Sequence, residues 1–119
     1  MKILLVEDIH DSREFMKWFL EMEGNQITEA VNGKEAVEYA QTEQPDIILM
    51  DLDLPIMNGL TATRHIKQIE ACESIPIIAI TAYPKDLHDI AFDVGCEAVL
   101  GKPINFDELT QAINISAPQ

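Results

Sequence analysis

The stretch that decides the fold of this chain reads Ile47-Ile48-Leu49-Met50-Asp51-Leu52-Asp53-Leu54-Pro55-Ile56-Met57-Asn58-Gly59. It opens with an apolar run, which predicts a short strand buried on both faces. The run ends at Asp51, and Pro55 and Asn58-Gly59 then predict a turn, because proline fixes φ and glycine tolerates positive φ. Open α/β sheets bind their ligands at the carboxyl ends of strands. Asp51 is therefore the first candidate functional residue.

The composition limits the classes of function. The chain has 119 residues, with 21 Asp and Glu against 8 Lys and Arg, for a net charge of −13. This charge argues against binding of nucleic acids or anionic membranes, both of which carry negative charge. No apolar run reaches the roughly 18 residues of a membrane span. The apolar start at Met1–Val6 is too short for a secretion signal, so we expect a cytoplasmic protein that begins naturally at Met1.

The remaining apolar runs alternate with helical patterns along the whole chain. The predicted strands are Lys2–Val6, Gln26–Ala30, Asp46–Met50, Ser74–Ile80 and Ala98–Leu100. The predicted helices begin at Asp11, run over Lys34–Glu43, Leu60–Ile69 and Lys85–Val94, and follow Asn105. Strict alternation of this kind predicts one domain with a parallel sheet and helices on both of its faces.

The first helix carries the clearest pattern. Asp11 and Glu14 have the spacing of a capping box. The residues predicted to face the core are Phe15, Met16, Phe19 and Leu20. Arg13 and Lys17 fall on the opposite face, and Trp18 lies at the boundary of the apolar stripe. Asn105 and Glu108 repeat the capping-box spacing at the last helix.

Polar residues follow four of the five strands. Glu7-Asp8 comes after the first, Asp51 after the third, Thr81 after the fourth and Lys102 after the fifth, whereas the second strand supplies nothing comparable. Each of these residues alone is typical of an ordinary turn. Because the carboxyl ends of parallel strands share one edge, we expect them to meet in one crevice.

The chemistry of this set points to phosphoryl transfer. Three carboxylates repel each other unless a cation lies among them, and Lys102 alone cannot neutralise them. Mg²⁺ prefers oxygen ligands and suits such a site. Asp51 is then the candidate nucleophile, and Lys102 and Thr81 stabilise the transferring oxygens. A cis Lys102-Pro103 bond is one way to direct the lysine inward.

The residues that carry a family resemblance are Glu7-Asp8, Asp51 with Leu54–Gly59, Thr81-Ala82 and Lys102-Pro103. Together they resemble the receiver domain of bacterial response regulators, and the resemblance covers essentially the whole chain. It implies a flavodoxin-like, doubly wound five-stranded parallel sheet in the order 2-1-3-4-5 with five helices. The domain would span residues 1–119, with residues 116–119 as a tail or the start of a linker.

The resemblance also implies the function. Asp51 would accept a phosphoryl group from a histidine kinase or a histidine phosphotransfer protein, and the domain would then signal to a downstream effector. Glu7, Asp8, Asp51 and the Asp53 backbone carbonyl would hold Mg²⁺ or Mn²⁺, with Thr81 and Lys102 on the phosphoryl group. Members of this family also hydrolyse their own acyl phosphate, so the chain would be a signalling module and not a conventional enzyme.

Three positions modify this expectation. Receiver domains often carry an aromatic residue three positions before the lysine, where this chain has Val99. The switch formed by Thr81 and Val99 therefore lacks its aromatic half, so either Val99 transmits less or another surface carries the output. Asp53 and Tyr83, two residues after Asp51 and Thr81, are predicted to tune dephosphorylation.

Two alternatives remain open at the level of sequence. Asp51-Leu52-Asp53 has the Asp-x-Asp pattern of haloacid-dehalogenase-like phosphatases, although that motif is expected after the first strand. A receiver-like interaction module that is never phosphorylated is the second alternative, although no acidic or lysine position has been lost. The role of Trp18 also has two interpretations, because its side chain can pack on a neighbouring helix or dock a partner helix.

Overall fold

The five strands form one parallel sheet in the order β2-β1-β3-β4-β5 in a computed structural model that describes residues 1–118. The strands are β1 Lys2–Val6, β2 Gln26–Ala30, β3 Ile47–Asp51, β4 Ile77–Thr81 and β5 Ala98–Gly101. The helices are α1 His10–Met22, α2 Gly33–Glu43, α3 Gly59–Gln68, α4 Pro84–Val94 and α5 Phe106–Ser116, with a short 3₁₀ helix at Glu70–Cys72. The predicted flavodoxin-like fold and its strand order are confirmed.

Two hydrophobic layers cover the two faces of the sheet. On one face Ile48 and Met50 of β3 pack in a layer that includes Ala36, Ala62 and Ala91 of α2, α3 and α4. On the other face, Ile47 and Leu49 pack in a layer with residues of α1 and α5, namely Met16, Leu20, Leu109 and Ile113. Alternate side chains of β3 therefore enter opposite layers, which explains why its sequence is apolar without interruption.

The amino end of α1 differs from the prediction. The helix begins at His10, its N-cap is Ile9, and no side chain caps it, so Asp11 and Glu14 do not form a capping box. Phe15 was predicted to face the core but is 57% exposed, whereas Met16 is buried. Neighbouring helical residues point about 100° apart, and the stripe centres on Met16 and Leu20, which leaves Phe15 at its edge.

The bounds of three strands also differ from the prediction, and β5 ends one residue later than expected, at Gly101. β3 begins at Ile47 and includes Asp51, one residue later at each end than predicted. β4 begins at Ile77 and not at Ser74, because the chain before it forms the 3₁₀ helix and a turn in which Ile75 N–H donates to the Cys72 carbonyl at 3.0 Å. Each correction leaves the functional residue at the carboxyl end of its strand.

Asparagine side chains fix the start of three helices. Asn32, Asn58 and Asn105 each accept a hydrogen bond from a backbone N–H in the first turn of α2, α3 and α5. For Asn105 the donor is Glu108 N–H at 3.1 Å, as the capping-box spacing predicted. Such caps stabilise a helix by about 1 kcal/mol.

The loop after β3 is held from both sides. Gly33 N–H, at the start of α2, donates to the Met57 carbonyl at 3.0 Å. A Cβ at Gly33 would overlap that carbonyl oxygen, and a Cβ at Gly59 would overlap the carbonyl oxygen of Asp51. Glycine at both positions therefore lets the loop pack directly beside Asp51.

The last helix, α5, reaches nearly to the end of the chain. Ser116 is the last residue of α5, so a tail starts later than predicted, and Gln119 lies outside the described residues. Over residues 1–118, none of the helices is long and apolar enough to cross a membrane. The cytoplasmic location stays a prediction.

Candidate functional site

Three carboxylates meet at the carboxyl edge of the sheet, beyond β1 and at the end of β3. One oxygen from each of Glu7, Asp8 and Asp51 lies within 4.8 Å of the other two. As whole residues, Glu7 and Asp51 are 4% and 2% exposed, whereas Asp8 is exposed to solvent. The parallel register of β1 and β3 pairs Val6 with Met50, which places the residues after them side by side.

Lys102 reaches this cluster from the loop after β5. Its Nζ donates to Asp51 Oδ2 at 2.8 Å and lies 3.6 Å from Glu7 Oε1. The following Lys102-Pro103 bond is cis. The lysine expected at this edge from the sequence therefore contacts two of the carboxylates directly.

Thr81 ends β4 on the other side of Asp51. Its buried hydroxyl accepts a hydrogen bond from Tyr83 N–H at 3.1 Å and donates a long one to Asp53 Oδ2 at 3.4 Å. Asp53 N–H in turn donates to Asp51 Oδ1 at 2.9 Å. The side chains of Asp53 and Tyr83 are exposed at the mouth of the site.

Val99 occupies the position on β5 at which an aromatic residue is common. It is half-buried and pairs with Ala79 of β4 in the sheet register. It packs against the layer of α2, α3 and α4. The site therefore has its threonine without an aromatic partner at residue 99.

Burial and the neighbouring charges shift the pKa values of two groups in this cluster. The pKa of the Glu7 carboxyl is raised from 4.5 to about 7, first because burial disfavours its charged form and then because Asp51 lies beside it as a hydrogen-bond partner and an anion. Burial acts to lower the pKa of the Lys102 ammonium, but the hydrogen bond and charge of Asp51 and the charge of Glu7 outweigh it, so that pKa is raised.

The donor set fits a divalent cation. Lys102 supplies one positive charge beside three carboxylates. The oxygens of these carboxylates are close enough together to share one ion, and hard ions such as Mg²⁺ prefer such ligands. The acidic cluster can therefore bind a metal ion at the carboxyl end of β3.

Sequence reasoning missed two residues near this site. Arg13 was placed on the polar face of α1, and β2 was expected to supply nothing, yet Arg13 Nη1 donates to the Glu7 carbonyl at 3.0 Å and Arg13 Nε donates to Glu29 of β2 at 3.1 Å. The charge pattern offered one hint, because Arg13 and Lys17 lie one helical turn apart and Glu29 is an acidic residue within an otherwise uncharged strand.

An apolar cavity opens beside Lys102. It has a volume of about 620 Å³ and is lined largely by α1, by the loop after β5 and by the start of α5, including Phe15, Pro103 and Phe106. The Phe15 ring lies 6.0 Å from that of Trp18 and 5.4 Å from that of Phe106. Trp18 itself is 57% exposed, so its ring lies on the surface of α1 beside Phe15.

Known proteins share this arrangement of elements. The model of the response regulator receiver domain family matches residues 3–114. The polar-differentiation response regulator DivK of Brucella anthropi is 33% identical over 112 residues, which cover 93% of this chain and 91% of that protein.

Solved structures agree with the sequence comparisons. The receiver domain of the sensor histidine kinase PA1611 from Pseudomonas aeruginosa PAO1, solved with a magnesium ion coordinated in its active-site cleft, has a TM-score of 0.89, 33% identity and coverage of 96% of this chain and 94% of that one. The receiver domain of the Francisella response regulator 1452 has a TM-score of 0.89, 27% identity and coverage of 97% and 94%. The resemblance predicted from the motifs is confirmed, and the chain belongs to the response regulator receiver domain family.

Proposed function

We propose that this receiver domain accepts a phosphoryl group on Asp51 from a histidine kinase or a histidine phosphotransfer protein and then signals to a downstream effector. The observation that carries the proposal is the contact of Lys102 Nζ with Asp51 Oδ2 at 2.8 Å inside a cluster of three carboxylates. An anion held beside a fixed ammonium at the end of a strand is well placed to act as a nucleophile toward phosphorus. Residues 1–119 would constitute the receiver unit.

The transfer is a simple exchange of bonds. A carboxylate oxygen of Asp51 attacks the phosphorus of the donor phosphohistidine, and an O–P bond forms as the P–N bond breaks. The electron pair of the P–N bond stays on the imidazole nitrogen of the donor. Lys102 then holds negative charge on the transferred group, and Thr81 turns its hydroxyl from Asp53 toward a phosphoryl oxygen.

The metal is the second part of the proposal. Glu7, Asp8 and Asp51, with the backbone carbonyl of Asp53, would hold Mg²⁺ or Mn²⁺. When bound, the ion supplies positive charge that stabilises the phosphoryl oxygens. The donor set of carboxylates within 4.8 Å supports this assignment, as does the magnesium ion named for the receiver domain of PA1611.

The conformational response follows from the new charge. A phosphoryl group brings about −2 charge and strong acceptor oxygens to Asp51. Thr81 and Lys102 gain contacts that they lack before phosphorylation, and this bias shifts an existing equilibrium of loops and helices. Since Val99 offers no aromatic ring, the response passes mainly through Thr81 and the start of α4, whose N-cap Tyr83 is bonded to Thr81.

The phosphatase alternative has no support in the site. Asp53, which would be its general acid, is bonded to Thr81 and lies after the third strand. A receiver domain should show essentially no turnover of a generic phosphomonoester such as p-nitrophenyl phosphate, whereas a phosphatase should turn it over. The chemistry that we propose is limited to the chain's own phosphorylation and the later hydrolysis of that acyl phosphate.

The site predicts labelling of Asp51 by a small phosphodonor. Incubation with acetyl phosphate and Mg²⁺ should add one phosphoryl group, detected by intact-mass spectrometry, because Asp51 and Lys102 are already in place and the added Mg²⁺ supplies the second cation. Asp51→Asn should abolish the labelling, and Lys102→Ala should slow it strongly. Asp89→Asn, a change at an exposed carboxylate of α4, is the control and should label normally. Absence of labelling in the unaltered chain would support the interaction module that is never phosphorylated.

Asp53 should set the lifetime of the phosphorylated form. Asp53→Asn replaces the carboxylate that competes for the Thr81 hydroxyl with a weaker acceptor, so Thr81 should hold the phosphoryl group more firmly. We expect a half-life several-fold longer, measured by the decay of the phosphorylated mass after removal of acetyl phosphate. Decay at the unaltered rate would show that Asp53 has no tuning role.

The raised pKa of Glu7 predicts a pH-dependent stability of the metal-free protein. The carboxyl titrates near pH 7 in the fold and near 4.5 when unfolded, so the stability that depends on its protonated form is lost as the pH rises through 7. The glutamine side chain that results from Glu7→Gln cannot ionise. The gain in free energy of unfolding over the unaltered chain should therefore be about 2 kcal/mol larger at pH 8 than at pH 5. Urea denaturation with EDTA at both pH values measures the difference, and an equal effect at both would refute the shift.

A further inference from the structure

Arg13 joins the turn at Glu7-Asp8, after β1, to strand β2. Its Nη1 donates to the backbone carbonyl of Glu7 at 3.0 Å, and its Nε donates to Glu29 Oε1 at 3.1 Å. The Arg13 side chain is only 14% exposed. A guanidinium held at two points in this way has little freedom to move, since its planar fork fixes both bonds at once.

The backbone of Glu7 is therefore held on both sides. Its N–H donates to the carbonyl of Ala30 at 3.0 Å, at the end of β2, and its carbonyl accepts from Arg13. That carbonyl is part of the peptide bond between Glu7 and Asp8. Within residues 1–118 no hydrogen bond or ion pair reaches the Asp8 side chain, so the placement of this carboxylate depends on the peptide group before it.

Glu29 keeps Arg13 in place. Burial acts to raise the pKa of the Glu29 carboxyl, but its bonds to Lys17 and Arg13 outweigh burial and lower that pKa. Lys17 Nζ contacts the second oxygen of the same carboxylate, Oε2, at 3.1 Å. Lys17 thus shares the partner of Arg13 without any contact to Glu7, which makes it a matched control.

We infer that Arg13 is a positioning residue that, braced by Glu29, sets the geometry of Glu7 and Asp8 and so raises the affinity of the site for Mg²⁺. The inference rests on the proposed function, which places Mg²⁺ among these carboxylates. Mutation of residues that hydrogen-bond to metal ligands and orient them typically lowers metal affinity by roughly 10- to 100-fold.

The direction in which the Kd for Mg²⁺ changes when Arg13 is removed distinguishes a positioning role from an effect of its charge. Arg13 is a cation near the site, so by Coulomb's law alone its removal should tighten the binding of a second cation. Loss of the bond to the Glu7 carbonyl should instead weaken Mg²⁺ binding, because Asp8 is no longer held. The two explanations therefore predict opposite changes in Kd.

The test is a Mg²⁺ titration of the full chain by isothermal calorimetry. Arg13→Ala should raise the Kd for Mg²⁺ roughly tenfold, whereas Lys17→Ala should leave it nearly unchanged. Arg13→Lys keeps the charge but cannot span both acceptors, so its Kd should also rise. Thermal unfolding of each variant checks that it is folded, and Glu29→Gln, which keeps Arg13 but weakens its brace, should raise the Kd by a smaller factor.

A second measurement excludes a merely destabilised fold. Raising the Mg²⁺ concentration should restore labelling of Arg13→Ala by acetyl phosphate toward the rate of the unaltered chain, because its defect is in metal affinity. An unchanged or lower Kd in Arg13→Ala, or an equal loss in Lys17→Ala, would overturn the inference and leave the proposed function intact. Failure of the unaltered chain to bind Mg²⁺ would overturn both.

Discussion

Two buried carboxylates, Glu7 and Asp51, lie side by side at the end of a parallel sheet, and the rest of the site is arranged around their repulsion. Burial and mutual repulsion disfavour two negative charges at that position unless positive charge lies close by. Lys102 supplies one such charge through a contact of 2.8 Å. Because three carboxylates share the site, the remaining negative charge favours binding of a cation beside Asp51.

The fold meets this constraint largely by fixing the backbone around the carboxylates at several points. β1 and β3 are neighbours in the sheet, so their carboxyl ends place Glu7-Asp8 next to Asp51. The loop after β3 is anchored to α2 through Gly33 and Met57, and Glu7 is bonded through its own backbone to β2 and to α1. A site held in this way needs little rearrangement when a phosphoryl group arrives, which is the general advantage of preorganised charge.

Much of this could be predicted from the sequence, and the reason is local. Apolar runs ending in Asp51, Glu7 or Thr81 define strand ends, and parallel topology then brings those ends together. Arg13 and Glu29 were missed because their pairing depends on how α1 packs beside β2, which no local pattern encodes. Phe15 was misplaced for a related reason, since its exposure depends on the rotation of α1 and on the packing of Phe106.

We propose that Asp51 presents its carboxylate to an incoming phosphoryl group only with the help of a divalent ion held by its neighbours. Beryllofluoride mimics a phosphoryl group on an aspartate, and its bound form is visible by ¹⁹F NMR. We expect bound resonances in the presence of Mg²⁺, and none with EDTA or in Asp51→Asn. Bound resonances that persist without Mg²⁺, or in Asp51→Asn, would contradict it.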